Sequence, residues 1–571
     1  MKKCKTKHLI LSFLTITALL SCTACDNTSD TDNALTPAPS GADSSSAASG
    51  NADQETTSSD TVTPTVTEIP ASITPEGELS MNSESDIKRL AACFDGLALS
   101  ETLKDPYYTN PVMAQRFGAD PYALVYDGRV YLYMTGDVPE YNSDGTVKDN
   151  SYGKINTICV LSSADLVNWT DHGTIYAAGR EGSATWANNS WAPAAACKEI
   201  DGKMKFFLYF ANSAGGIGVL TADSPTGPFV DPIKKALISR STPTCDTVTW
   251  LFDPAVLIDD DGRAYLYFGG GIPDGAQANP KTARVVELGA DMISLAGDPV
   301  VIEPPYLFED SGINKIGDTY YYSYCTNWQV DSEGAAAYGI GNAHVAYMTS
   351  DSPMGPFTFQ GSILKNPGQF FGCYGNNHHC IFEFQDKYYI AYHTQILEKP
   401  MGISGGYRST HIDEVTINPD GSIAAITATK IGPDALTTLN PFEKIEAETM
   451  HTMGGINTTQ YGMQSTYYGS GNMVLCDIES GDWTMLSNVD FGTKATSFTA
   501  SVHADPDAYG IIRISLDNTF GEVVGYLEVT PDGTKEYREL TCDLLTEVSG
   551  THELYFTYYG TDYTIDYWYF R

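Results

Sequence analysis

One hairpin pattern, written five times, limits the folds open to this chain. Its clearest copy runs from Phe252 to Phe268 and reads FDPAVLIDDDGRAYLYF. That is a short apolar strand, a tight Asp-Gly turn and an aromatic strand coming back. The pattern recurs at Ala119–Tyr133, Trp191–Tyr209, Phe308–Tyr322 and Asn377–Ile390. Copies at irregular spacings of roughly 55–75 residues imply a radial repeat, because a lone hairpin cannot bury its own apolar face.

A second motif lies between the hairpins, at Ser163–Trp169, Asp223–Phe229 and Asp351–Phe357, each time after an apolar strand. A hairpin plus these strands makes a blade of about four strands. Five blades make a five-bladed β-propeller, expected over residues 86–439. From Pro441 the hairpin pattern is gone. The remaining residues, 440–571, alternate apolar and polar over short runs such as Phe498–Val502 and Ile511–Leu516. That is the mark of a small β-sandwich (jelly-roll) module, so the whole chain is expected to be all-β.

The N-terminus carries Lys2, Lys3, Lys5 and Lys7, then the apolar run Leu9–Leu20, then Ser21-Cys22. This order predicts a lipoprotein signal over residues 1–21, with Cys22 acylated and Cys25 the alternative. Residues 22–85 are rich in Ser, Thr, Ala, Asp and Pro and poor in large apolar residues. Such a stretch reads as a disordered tether. The expected setting is therefore extracellular, with the folded part, as a monomer, lipid-anchored to the bacterial membrane. A net charge of −38 excludes nucleic acid as a partner, since phosphate neutralisation needs Lys and Arg. It suits a neutral polymer instead.

In a propeller the inner strands start at the central channel, so the residues opening several hairpins converge there. This places Asp120, Asp253 and Glu309 around one cavity, with Glu309 at the register of the two aspartates. Trp191 and Phe252 stand beside them as apolar walls, and His378 enters from the fifth copy. Three carboxylates without a cysteine nucleophile or a Ser-His-Asp order point to acid/base hydrolysis. In glycoside hydrolysis one carboxylic acid protonates the leaving oxygen and one carboxylate activates water. A third acid raises the proton donor's pKa by like-charge repulsion.

The openings Ala-Asp-Pro-Tyr, Trp-Ala-Pro, Phe-Asp-Pro-Ala and Phe-Glu-Asp-Ser-Gly resemble glycoside hydrolase family 43, over about Asp105 to Ile431. The likeness is to its arabinoxylan arabinofuranohydrolase and β-xylosidase members. It implies an inverting, exo-acting enzyme with Asp120 as general base, Glu309 as general acid and Asp253 tuning the acid. The implied reaction is release of L-arabinofuranose from plant cell-wall arabinoxylan, with xylosidase action on xylo-oligosaccharides, or a non-catalytic sugar-binding lipoprotein, as alternatives. The resemblance further implies that Arg408 touches the sugar and that His378 lies near an axial calcium ion. The C-terminal unit resembles carbohydrate-binding module family 6, through Ile445-Glu-Ala-Glu448, Gly481-Asp-Trp483 and Ile565–Phe570. That likeness implies Glu446, Glu448 and Asp566 as ligands of a structural calcium. The stretch Cys542–Gly550, read as a loop, lacks the family's stacking Trp, which leaves Tyr461, Tyr467 or Tyr563 to supply an aromatic face.

Overall fold

Each hairpin pattern becomes the inner pair of strands of one blade in the computed structural model, which describes residues 83–461, 472–531, 533, 534 and 536–571. The signal segment, Cys22, Cys25, Tyr467 and all but the last residues of the tether lie outside the described residues. The first blade comprises Ala119–Tyr126, Arg129–Thr135, Thr157–Ser163 and Trp169–Tyr176, all antiparallel. The second has Trp191–Ile200, Lys203–Ala211 and Ile217–Ala222. The third has Ala255–Ile258, Ala264–Phe268, Ala283–Leu288 and Val300–Ile302. The fourth has Leu307–Ile316, Thr319–Thr326, Val345–Ser350 and Thr358–Leu364. The fifth has His379–Phe384, Lys387–Thr394 and Ser409–Val415. Two blades therefore carry three named strands rather than four.

Alternate residues of each strand face the neighbouring blades, and buried tyrosines such as Tyr133, Tyr209, Tyr267 and Tyr322 fill the gaps between them. Their hydroxyls are satisfied in place. Tyr133 Oη donates to Pro225 O and Tyr267 Oη to Pro353 O, each at 2.6 Å. In the copies at Asp223–Phe229 and Asp351–Phe357 the second repeated motif is thus a lock, its proline carbonyl taken by a tyrosine of the preceding blade. The ring closes where residues 110–118 run beside Ser409–Val415, with Val112 N–H bonding Thr410 O and Gly118 N–H bonding Arg408 O. Asn110 adds a reciprocal pair to Ile412, both bonds 2.8 Å. Inside the ring Tyr122 reaches from the first blade to the third, and its hydroxyl pairs with Val256 O and Val256 N–H at 2.9 and 3.1 Å. A register shift between Ala119 and Tyr122 sets Asp120 off the regular strand just before it.

The C-terminal module is a curled antiparallel sheet built on two long strands, Ala495–Leu516 and Thr551–Phe570, paired from Phe498↔Phe570 to Leu516↔Leu554. Register shifts at Ser501/Val502 and Ala504/Tyr509 bend the pair. The bend lets Phe498, Phe556, Trp568 and Phe570 meet in one aromatic core.

Two features differ from the domain limits read from sequence. Residues 83–102, expected at the edge of the tether and the start of the propeller, lie against the module. Helix α1 (Glu84–Ala92) is capped by Ser83, and Arg89 forms a two-pronged ion pair with Glu528, both bonds 2.9 Å. Leu90 and Phe94 pack on Ile511, and Phe94 meets Tyr526 and Tyr559. Ser100 then bonds Asp482 at 2.6 Å and takes the Trp483 indole N–H at 2.9 Å. In the other direction, the short strand Thr449–Met450 of the module pairs with Trp169–Tyr176 and extends the first blade to five strands. Asn168 and Ser487 exchange two 2.8 Å bonds across the same joint.

Cys373 and Cys380 are not joined, and the packing is held without a disulfide among the described residues.

Candidate active site

The inner strands of four blades open on a residue forced into left-handed backbone geometry. Asp120, Ala192, Asp253 and Asp310 have φ of 47°, 38°, 51° and 71°. Non-glycine residues lose about 1–2 kcal/mol each in that region. Three of the four are aspartates, whose carboxyls reach the same histidine. This corrects the register expected for Glu309. Asp310, not Glu309, is the counterpart of Asp120 and Asp253, and Glu309 precedes it by one residue, at the position of Phe252 and Trp191. The aligned openings F-D-P and E-D-S carried that signal.

His378, from the start of the fifth blade, stands among them. Its Nδ1 lies 3.6 Å from Asp120 Oδ1 and 3.9 Å from Asp253 Oδ2, and its Nε2 lies 3.2 Å from Asp310 Oδ1. Asp253 Oδ2 also accepts the Asp310 N–H at 3.0 Å. The other Asp310 oxygen takes both the ring and the backbone N–H of His379, whose Nε2 meets Ser323 Oγ at 2.7 Å.

Arg408 is buried and holds Asp120. Its Nη1 donates to Asp120 Oδ1 at 2.8 Å, while Nε and Nη2 form a fork on Asp137, both at 2.9 Å. Tyr152 lies over the guanidinium, 5.1 Å from ring centroid to Cζ. His393 Nδ1 sits 3.1 Å from both Asp120 N and Oδ1. On the Asp120 carboxylate the contacts of Arg408, His378 and His393 all fall on Oδ1; Oδ2 makes no hydrogen bond among the described residues.

The carboxyls are pushed apart in proton affinity. Burial raises Asp120, but Arg408, His378 and His393 outweigh it and hold the group far below the ordinary carboxylate range. Burial pushes Glu309 well up, and the charges of Asp253, Asp120 and Asp310 push it further. Asp253 is raised by burial and by Asp120 and Asp310. Of the coupled pair Asp253 and Glu309, the proton belongs on Glu309, because Asp253 has an N–H donor supporting its charged form while Glu309 Oε1 has no partner. One buried pocket therefore holds an ionised carboxylate and a protonated one. That is the arrangement acid/base hydrolysis requires.

Residues 108–423 match the family model of glycosyl hydrolases family 43, more than half of the chain. The chain belongs to glycosyl hydrolases family 43. Residues 446–571 match the carbohydrate binding module (family 6). The chain is 47% identical over 483 residues to an arabinoxylan arabinofuranohydrolase of Bacillus subtilis (strain 168), covering 81% of this chain and 92% of that one. It is 46% identical over 471 residues to an arabinoxylan arabinofuranohydrolase of Paenibacillus polymyxa, covering 80% and 73%. A solved structure of a family 43 arabinoxylan arabinofuranohydrolase from Bacillus subtilis in complex with cellotetraose superposes with a TM-score of 0.78 at 46% identity, covering 82% of this chain and 99% of that one.

Within this family 43 site the remaining expected residues fall as follows. Trp191 is half-buried at the rim, its indole N–H on Tyr152 O at 2.9 Å and its ring edge-on to Tyr152. Phe252, expected as a sugar contact, is only 7% exposed, because its face is spent on the core between the second and third blades. Trp250, half-buried, stands edge-on to both Phe252 and Phe308, the residue before Glu309. Arg408, expected on the sugar, gives three of its N–H groups to Asp137 and Asp120. Asp137, Tyr152, Asp310 and His393 were not singled out from sequence. Only Asp310 had a repeat-based signal.

In the module, buried oxygens of Glu446, Glu448 and Asp566 have no hydrogen-bond partner among the described residues. Burial raises all three pKa values, most strongly at Glu448. Among the described residues, no three acid, histidine or cysteine side chains are already closed into a metal cage. What marks these groups is their unpaired oxygens. Of the aromatic candidates, Tyr563 is only 2% exposed, packed over Gly510, so it offers no face to a sugar. Tyr461 is exposed and edge-on to Tyr537. The stretch from Cys542, expected as a loop, is mostly strand (Arg538–Val548), because it completes the sheet beside Ala495–Leu516.

Proposed function

We propose that this chain is an inverting, exo-acting α-L-arabinofuranosidase that removes arabinofuranose side chains from arabinoxylan. The observation that carries the reading is the opposite displacement of two proton affinities in one pocket, Asp120 down and Glu309 up. It is supported by kinship, across both domains, with proteins named for that activity. Asp120 takes a proton from water through its free Oδ2. The water adds to the anomeric carbon from the face opposite the leaving group, and Glu309 passes its proton to the departing glycosidic oxygen. Asp253 keeps Glu309 protonated by its charge. Arg408, His393 and Asp137 hold Asp120 in place, and Trp191 and Trp250 wall the pocket.

Incubating the chain with arabinoxylan and with unsubstituted xylo-oligosaccharides tests this. Arabinose from the polymer, first released as the β-anomer by NMR, is the expected result. Xylose from oligosaccharide ends with no arabinose would move the activity to β-xylosidase, and no sugar from either would remove the enzyme reading.

We propose a calcium ion near the propeller axis and another in the module, a reading supported by the donors present. Asp310 Oδ1, Asn376 Oδ1 and Asn377 Oδ1 are buried oxygens without a hydrogen bond near His378. The unpaired oxygens of Glu446, Glu448 and Asp566 are the hard donors calcium takes. In each place the ion would neutralise buried carboxylates. Calcium is expected to raise the thermal midpoint of the chelator-treated chain by several degrees. An unchanged midpoint with no calcium uptake by calorimetry would end this reading.

A further inference from the structure

The fourth blade carries a groove at the end of its strands away from Glu309. The register shows the separation. Glu309 pairs with Cys325 at one end of the blade, whereas Tyr320 pairs with Ser350, and Thr349 with Thr358, at the other. Six strand steps separate Cys325 from Thr319, about 20 Å at ~3.3 Å each. The groove has a volume of about 770 Å³, within the range of small-molecule sites. Thr319, Asp351, Thr358, Gln360, Asp420 and Ser422 supply its polar lining, over a floor of the stacked Tyr321 and Tyr347.

The repeat itself shows that this groove is not a necessity of the fold. Asp351 opens the lock motif of the fourth blade, and Asp223 opens the same motif in the second. In the second blade Asp223 is ion-paired with Lys205. Phe206 pairs with Ala222 just as Tyr320 pairs with Ser350, so the residue at the Lys205 position of the fourth blade is Thr319. The shorter residue leaves the Asp351 carboxylate without an ion pair or hydrogen bond among the described residues. Asp420, across the groove, uses only Oδ1, on Ser422. Among the described residues, no lysine, arginine or histidine lines the groove. An anionic ligand would meet two carboxylates and no counter-charge. Hydroxyls and an amide that both donate and accept, flanked by carboxylates that accept strongly, match the vicinal hydroxyls of a neutral sugar.

We propose that this groove is a second carbohydrate-binding site, which takes a stretch of neutral polysaccharide main chain on the face away from the catalytic pocket. It holds the polymer near the enzyme and raises the local concentration of cleavable branches. Only the identity of the polymer, xylan, rests on the proposed function.

The test uses the full chain carrying Glu309→Gln, so that ligand is not consumed, and xylohexaose as probe. Hydrogen exchange is expected to slow over residues 349–360 and 418–423 on adding xylohexaose, whatever the C-terminal module binds. Adding Asp351→Ala, Gln360→Ala and Asp420→Ala is expected to abolish that protection and weaken binding at this site about tenfold, the loss of one to two charge-assisted hydrogen bonds. The same three changes with Glu309 intact leave arabinose release from a short arabinosylated oligosaccharide unchanged. No slowing over these segments overturns the proposal. So does slowing that the triple change leaves intact, or calcium uptake by Asp351 and Asp420 without protection by the sugar. Failure of the parent enzyme to release arabinose from the short substrate would overturn the proposed function and leave the groove test standing.

Discussion

Glu309→Gln is expected to lower kcat on arabinoxylan by about 10²–10⁴, the usual contribution of a positioned general acid. The amide occupies the same space and cannot deliver a proton to the leaving oxygen. On an aryl arabinofuranoside with an acidic phenol, which departs without protonation, the loss is expected to shrink to within about tenfold. That contrast separates loss of the acid from disturbance of the pocket. Stability should move the other way. A carboxyl whose pKa is raised by folding destabilises the fold once pH rises above its unfolded value, about 4.3. The glutamine therefore keeps or raises the thermal midpoint at pH 7 and has no effect below pH 4. In the parent enzyme, activity is expected to fall on the alkaline side as Glu309 loses its proton. An E309Q variant within threefold of the parent on arabinoxylan would remove Glu309 from the acid role.

Arg408→Met is expected to damage both stability and the base. Asp137 is buried, and Arg408 supplies the Nε, Nη2 and backbone N–H donors around its carboxylate. Removing the guanidinium strands that charge, at a cost of about 3–5 kcal/mol. Asp120 loses its main cation at the same time. Because folding depresses its pKa, Asp120 contributes stability that is present above its unfolded value, about 3.9, and lost as pH falls through the folded one. In the variant that contribution disappears from the pH 5–8 range. The acidic limb of kcat/KM moves to higher pH as Asp120 becomes easier to protonate. Urea titration and a pH–rate profile read the two effects separately. A variant with an unmoved acidic limb would show that Arg408 does not set the base.

The pH profile also bears on the two aspartates flanking the acid. Asp253 and Asp310 face His378 from opposite sides, so neutralising either should lower the alkaline limb by lowering the Glu309 pKa. The physical cause is the same in both cases, one less negative charge near a buried carboxyl.

The hairpin pattern, the three acids and the change of texture at Pro441 were legible in the chain because each is local. A two-residue period, an Asp-Gly turn and an Asp-Pro opening are set by neighbours within about ten positions. They determine five blades, a separate β module and the inward aim of Asp120 and Asp253. The tertiary structure alone decided what those acids can do. Arg408 meets Asp137 from 271 positions away and Asp120 from 288, and only ring closure brings them together. The one-residue offset between Glu309 and Asp310 was written in the aligned openings, but the left-handed backbone at Asp310 is what makes it plain. The strap from Ser83 belongs to the module because Arg89 finds Glu528 439 positions later. Burial likewise turned Phe252 and Tyr563 from candidate sugar contacts into core. Side-chain identity names the chemistry a residue can perform, but proton affinity, exposure and partners come from neighbours that are distant in sequence and are set only when the blades close.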